Sequence, residues 1–218
     1  MTTIDNHYQT YRIPANLRLH MYRVTALGQY IIDHLAKSIS VNKDIVAKIN
    51  LFHDLGNVIK FDLSSDNTIV ISQQEREKLA IIKAEMIAKY GKDEHQATLA
   101  IAREICEEPR VIELLSQTGV NKIAYAVDGD SWDVKIIRIC DERVGPNGVV
   151  TVEARYDDLA RRYAGRDHEL SNATYLSNRL ALVKHLEQQI QAVVDIDLQK
   201  ITDDDINPYI QTLPKYEM

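Results

Sequence analysis

A chain of 218 residues, 45% hydrophobic and 27% charged with few Pro and Gly, is long enough for one good-sized core or one core with an extension. It holds no apolar run long enough to span a membrane, its start Met1-Thr2-Thr3-Ile4-Asp5-Asn6-His7 lacks a secretory signal pattern, and its two cysteines, Cys106 and Cys140, sit in apolar helical patterns, so a reducing cytoplasmic setting is expected. A net charge of −6 argues against broad nucleic-acid binding, which needs phosphate neutralisation, but leaves small phosphate esters open because a metal ion can supply local positive charge.

Residues 1–15 are polar and Tyr-containing, and end at Ile13-Pro14, where a proline suits a helix start. From Asn16 the apolar Leu17, Met21, Val24, Leu27, Ile31 and Leu35 recur at three- and four-residue spacing, which predicts an amphipathic helix. His20 lies three residues after Leu17 and four before Val24, so it faces inward. His34, beside Asp33 near the helix end, faces water and favours the helix dipole. Ser40-Val41-Asn42 is a turn and N-cap, and the next helix runs through Ile45, Val46, Ile49, Phe52 and His53 to about Gly56. Within it, Leu51-Phe52-His53-Asp54-Leu55-Gly56-Asn57 sets a histidine against an aspartate among apolar neighbours. Burying such a pair unpaired costs several kcal/mol, so either other side chains satisfy it or a metal ion is held there.

A polar loop from Lys60 to Thr68 and a short Ile69-Val70-Ile71 run follow, with Lys60 at the loop mouth. Ser72–Tyr90 reads as a helix with Leu79, Ile82, Met86 and Ile87 on one face, closed by Gly91. Asp93 caps a fourth helix that carries His95 in its first turn. Pro109 starts a short helix to Leu115, Thr118-Gly119-Val120 is a break, and Asn121–Val127 is helical again. Ser131 caps a helix whose inner face holds Val134, Ile137, Cys140 or Asp141, and Val144. Asp141, four residues after Ile137 and three before Val144, therefore lies on the buried side, a second expensive feature. Gly145-Pro146-Asn147-Gly148 stops this helix sharply and Thr151 caps the next. Ser171 opens a long helix with a stripe of Leu176, Leu180, Val183, Leu186, Ile190 and Val193, suited to packing on the core or, in a homodimer, on a second subunit. One more short capped helix spans Thr202 to Leu213. Hardly any stretch reads as strand, so the fold expected is all-α.

Three inward sites then stand together: His20 on one helix, His53-Asp54 on a second and Asp141 on a third. Two imidazoles and two carboxylates make a divalent-metal site with open positions for water. Such a site acidifies bound water and polarises a phosphoryl oxygen.

This order resembles the HD-domain superfamily of metal-dependent phosphohydrolases, in which a histidine, a His-Asp doublet and a distal aspartate each occupy their own helix. Leu19-His20-Met21-Tyr22-Arg23-Val24 looks like the first histidine helix, Phe52-His53-Asp54-Leu55-Gly56 like the second, and Ile139-Cys140-Asp141-Glu142-Arg143-Val144-Gly145-Pro146-Asn147-Gly148 like the distal helix and turn. The resemblance implies an HD-domain helical bundle over residues 14–165 and a C-terminal helical extension over 166–218. It implies His20, His53, Asp54 and Asp141 as ligands of a divalent metal ion (Mn, Mg, Fe, Co, Ni or Zn), with His95 as a candidate for a further ligand. It also implies hydrolysis of a small phosphorylated substrate, a nucleotide foremost, by a metal-activated water. Asp54 would orient or deprotonate that water, and Arg18, Lys60 and Arg143 are the candidates for clamping the phosphate, with Lys60 and Arg143 closest to the chemistry. One departure stands out: where nucleotidases of this superfamily carry a glutamate three residues after the doublet aspartate, this chain has Asn57, which cannot take a proton. That departure keeps a second expectation open, a metal- or nucleotide-binding regulatory helical module without turnover.

Overall fold

Polar side chains that can accept from the free amides of a first helical turn recur along this chain, and most of its helices begin at them. The protein, seen in a computed structural model that describes residues 2–64, 72–119, 122–166 and 168–218, is all-α apart from one tiny hairpin among those residues. Its helices are α1 (Ile4–Thr10), α2 (Ala15–Asp33), α3 (Lys43–Phe52), α4 (Gln73–Tyr90), α5 (Glu94–Ile105), α6 (Pro109–Leu115), α7 (Ile123–Asp128), α8 (Trp132–Glu142), α9 (Val152–Tyr163), α10 (Ala173–Gln191) and α11 (Asp203–Ile210). Asn42, Asp93, Ser131, Thr151 and Asn172 each accept from a backbone amide three residues on, and Ser72 with Glu75 forms a reciprocal capping box. The hairpin pairs β1 (Val144–Gly145) with β2 (Gly148–Val149). No helix of the described residues is long and apolar enough to cross a membrane.

The spine is α2, against which α3, α8 and α11 all pack. Its inner face is Met21, Val24, Leu27 and Ile31, all buried. Gly28 sets how close the neighbours come: a Cβ there would lie 3.0 Å from Asn50 Nδ2 of α3 and 3.4 Å from Cys140 Sγ of α8. The absence of that methyl group brings three helices together about two turns beyond His20. The apolar stripe of α10 packs within the chain, on α7, α8 and α9, and Leu176, Val183, Leu186 and Ile190 join the same core. Arg143, just past α8, is fully buried and is tied to Glu187 of α10 at 3.1 Å, with its Nε–H donating to the Val150 carbonyl at 2.6 Å.

Several elements differ from the sequence expectation. The N-terminal stretch is not merely polar: α1 buries Ile4 and Tyr8 completely, and the Tyr8 hydroxyl donates to the Leu51 carbonyl at 2.7 Å. Two helical turns are too short to show a period in the sequence. The helix through His53 ends earlier than Gly56. It stops at Phe52, and His53 to Gly56 form a turn that leads into a 3-10 segment, Asn57–Lys60. The amides of Leu55 and Asn57 reach back only three residues, to Phe52 and Asp54, which tightens the backbone there. Ser171 lies in a 3-10 turn and Asn172 caps α10 instead. His34 is half-buried and its Nδ1 lies 2.8 Å from Asp195, so it is not a simple water-facing residue. The Ile69-Val70-Ile71 run and the Val120-Asn121 step lie outside the described residues.

Gly56 is needed for space, since its φ is ordinary. A Cβ there would run into the backbone of Glu94 and Thr98 at the start of α5, while its own amide donates to Thr98 Oγ1 at 2.9 Å. Overpacking of this kind costs about 1–3 kcal/mol. Gly56→Ala is therefore expected to lower the unfolding free energy by that amount, read as a lower urea midpoint at an unchanged slope, and an unaltered midpoint would show that the turn and α5 do not meet here.

Candidate metal centre

The inward face of α2 presents His20, the tight turn after α3 presents His53 and Asp54, and the last turn of α8 presents Asp141. These four side chains converge. His20 Nε2 lies 3.2 Å from His53 Nε2, 3.3 Å from Asp141 Oδ1 and 3.7 Å from Asp54 Oδ2. His53 Nε2 lies 3.6 Å from Asp141 Oδ1 and 3.8 Å from Asp54 Oδ2. One donor atom each from His20, His53 and Asp54 falls within 4.8 Å of the others, and Asp141 touches both rings from the remaining side.

The surroundings fix the donor atoms. His53 Nδ1 lies 2.8 Å from the Asn50 carbonyl and so carries a proton, which leaves Nε2 to turn its lone pair to the centre whenever the ring is neutral. Asn50 is itself buried on α3 with its Nδ2 3.5 Å from the Val24 carbonyl of α2. Asn57 Nδ2 donates to Asp54 Oδ2 at 3.0 Å. Asn57 thus orients the doublet carboxylate rather than handling a proton. Two imidazole nitrogens facing each other at 3.2 Å repel unless a proton or a cation lies between them, and two carboxylates beside them add negative charge. That donor set fits a divalent cation.

Electrostatics follow from the same crowding. Burial disfavours a charged His53, but the Asp54 and Asp141 carboxylates outweigh it and lift the imidazole to about 9. Burial would raise Asp141, and the two imidazoles overcome it to hold that carboxyl well below the ordinary range.

A cleft of about 110 Å³ opens on the centre. Besides His53, Asp54 and Asp141 it is lined by Asn57, Lys60, Glu94, His95, Arg138 and Arg179. Lys60 is ion-paired with Glu94 across it. His95 shares the cleft, but its Nε2 is 3.3 Å from the Ser116 carbonyl and it is not part of the histidine–aspartate cluster. Arg18 lies 3.5 Å from Asp5 and does not line the cleft. Arg143, expected at the phosphate, is instead the buried partner of Glu187 and serves the packing of α8 on α10; two residues beyond Asp141 on a helical path is about 200° around the axis. Sequence reasoning missed Glu94, Arg138 and Arg179. Arg138 had a legible signal, since it lies three residues before Asp141 and so shares its face.

With the geometry described, comparison with known proteins adds one result: a family model described as HD domain matches residues 18–142. No curated protein and no solved structure matches the chain.

Two expectations arise from the centre. His53→Ala or Asp141→Asn, purified without chelator, should lose bound metal by elemental analysis while keeping helical circular dichroism; retention of full metal occupancy would show the ligands lie elsewhere. In the metal-free protein the raised His53 makes a stabilising contribution that is fully present below its unfolded value of about 6.5 and lost as pH rises through about 9. The thermal midpoint of metal-free protein should fall over that interval, and apparent metal affinity should rise over it as the competing proton leaves.

Proposed function

The chain belongs to the HD-domain family, which is generally of the hydrolase type, and from that premise we propose that it is a metal-dependent phosphohydrolase acting on a nucleotide or another small phosphate ester. The observation that carries this reading is the convergence of His20, His53, Asp54 and Asp141 from three separate helical segments at the mouth of a cleft. Two imidazoles with two carboxylates suit borderline first-row cations, Mn, Fe, Co, Ni or Zn, better than Mg, which favours all-oxygen sets. When bound, such an ion supplies Lewis acidity to a phosphoryl oxygen and acidifies the attacking water.

The chain's own residues do the rest. Asp54, held through Oδ2 by Asn57, keeps its other oxygen for orienting water and accepting its proton. Lys60 lines the cleft and can turn from Glu94 to a phosphate oxygen, which would free the Glu94 carboxyl. Once it has taken up a proton from solvent, Glu94 can donate it to the leaving group, the role Asn57 cannot fill. The reducing setting of the cytoplasm is in keeping with two free cysteines, Cys106 and Cys140. The Asn57 side chain favours a second reading, a metal- and nucleotide-binding module without turnover, because it removes a titratable group from beside Asp54.

A screen of nucleoside mono-, di- and triphosphates with Mn, Mg, Co, Fe, Ni and Zn separates the two readings. Phosphate release that stops with chelator is expected, with Asp54→Asn and Glu94→Gln each slowing turnover by about 10²–10³-fold. Tight nucleotide binding with no release under any metal would favour the module.

A further inference from the structure

Where α3 stops is decided at one carbonyl. In an α-helix carried past Phe52, the Leu55 amide would donate to the Leu51 carbonyl four residues back. It donates instead to the Phe52 carbonyl at 3.1 Å, and the Leu51 carbonyl receives the Tyr8 hydroxyl of α1 at 2.7 Å. The last carbonyls of this helix thus have separate partners: the His53 ring at Asn50, Tyr8 at Leu51 and the Leu55 amide at Phe52. Of these partners only Tyr8 comes from a distant segment. Tyr8 and Leu51 are both fully buried, so no solvent stands in for the hydroxyl.

The consequence falls on the ligands. The turn that follows is wound by bonds that reach back three residues, Leu55 to Phe52 and Asn57 to Asp54. Winding of that kind advances about 120° and about 2.0 Å per residue, against about 100° and about 1.5 Å in an α-helix. Over His53 and Asp54 the difference amounts to about 40° and about 1 Å. Metal ligands have to hold their distances within about 0.2 Å, so the choice of winding decides whether the pair meets His20. The Tyr8 hydroxyl also lies 3.7 Å from Sδ of Met21, the residue after His20, and so touches the segments of both imidazoles. Burial first, then Tyr22, Asp5 and Asp54, push this hydroxyl well above its ordinary pKa, which keeps it a donor. Tyr8 is itself held in place: the Ile4 amide of α1 donates to the Tyr216 carbonyl at 2.9 Å, and the Tyr8 ring packs on Tyr22 of α2 with centroids 5.4 Å apart. All of α1 precedes the stretch matched by the family model.

We propose that Tyr8 is a positioning residue of the metal centre: by taking the Leu51 carbonyl from the Leu55 amide it ends α3 and holds His53 and Asp54 in the tight turn that faces His20. The inference rests on the reading of this cluster as a metal centre and does not require turnover. A purely structural Tyr8 would cost stability when its hydroxyl is removed and leave metal affinity as it was.

The test is calorimetric titration of Mn and of Zn into the chelator-treated full chain for the unchanged protein, Tyr8→Phe and Ile190→Val, with the urea midpoint recorded for each. Tyr8→Phe keeps the ring and removes the oxygen, while Ile190→Val trims a fully buried side chain of α10 and serves as a destabilised control. The expected result is metal affinity weakened about 10–100-fold by Tyr8→Phe and unchanged in Ile190→Val. Equal affinity in Tyr8→Phe and the unchanged protein would overturn the assignment, as would an equal loss in the control or no uptake of either metal by the unchanged protein. If metal binding depends on Tyr8 but the nucleotide screen releases no phosphate, the phosphohydrolase reading fails while the positioning role stands. Should Tyr8→Phe not fold, a crystal of the unchanged protein loaded with metal decides. Tyr8 on the Leu51 carbonyl with the Leu55 amide on Phe52 supports the role, and α3 continued through a Leu55-to-Leu51 bond overturns it.

Discussion

Two imidazole nitrogens 3.2 Å apart between two carboxylates need a positive charge among them, which in the metal-free chain is the proton that Asp54 and Asp141 hold on His53. In the metal-free chain the arrangement is held by packing, and the rest of the fold reads as the means of holding it. Met21, Val24 and Leu27 of α2, Ile49 and Phe52 of α3, and Ile136 and Ile139 of α8 supply the buried apolar contact that fixes the three donor segments. Burial of each such side chain contributes about 1.5–3 kcal/mol, and a handful of them outweighs the strain of gathering like groups. Asn50 links packing to chemistry, because one side chain meets the backbone of α2 while its carbonyl sets the tautomer of His53.

The turn from His53 to Gly56 depends on its neighbours as much as on its own residues. Tyr8 of α1 takes up the Leu51 carbonyl that α3, ending at Phe52, leaves without a helical partner. On the other side Gly56 presses against the first turn of α5. That contact brings Glu94 and His95 to the cleft and sets Lys60 opposite Glu94. A segment remote in sequence thereby supplies the titratable carboxyl that the doublet helix lacks at Asn57.

Three consecutive residues at the end of α8 show how a helix separates roles. Asp141 faces the imidazoles, Glu142 faces Arg138, Arg179 and Tyr156, and Arg143 faces Glu187. Successive side chains leave a helix about 100° apart, so one short run serves the histidine–aspartate cluster, the cleft's arginines and the core. Burial pushes Glu187 above the usual carboxylate range and Arg143 below its own, the mark of a pair whose Coulomb attraction is spent against desolvation. Its use is positional: it locks α10 onto α8, and α10 in turn presents Arg179.

The periodicity of Leu17–Leu35, the caps Asn42, Asp93, Ser131 and Thr151, and the order of His20, His53-Asp54 and Asp141 along the chain were legible in the sequence because they depend on spacing within single helices. So was the all-α class and the kinship carried by His20, His53-Asp54 and Asp141. What the sequence left open was decided by contacts between distant segments. Tyr8 has no pattern to announce it until Leu51 is placed beside it, and Arg143 looks fit to reach the cleft until the packing of α8 on α10 sends it to the core. Glu94 and Arg179 belong to helices that read as ordinary amphipathic elements. Local spacing tells which face a residue takes, but which partner that face meets is set by how helices far apart in the chain bury their apolar surfaces together, and that is settled only in three dimensions.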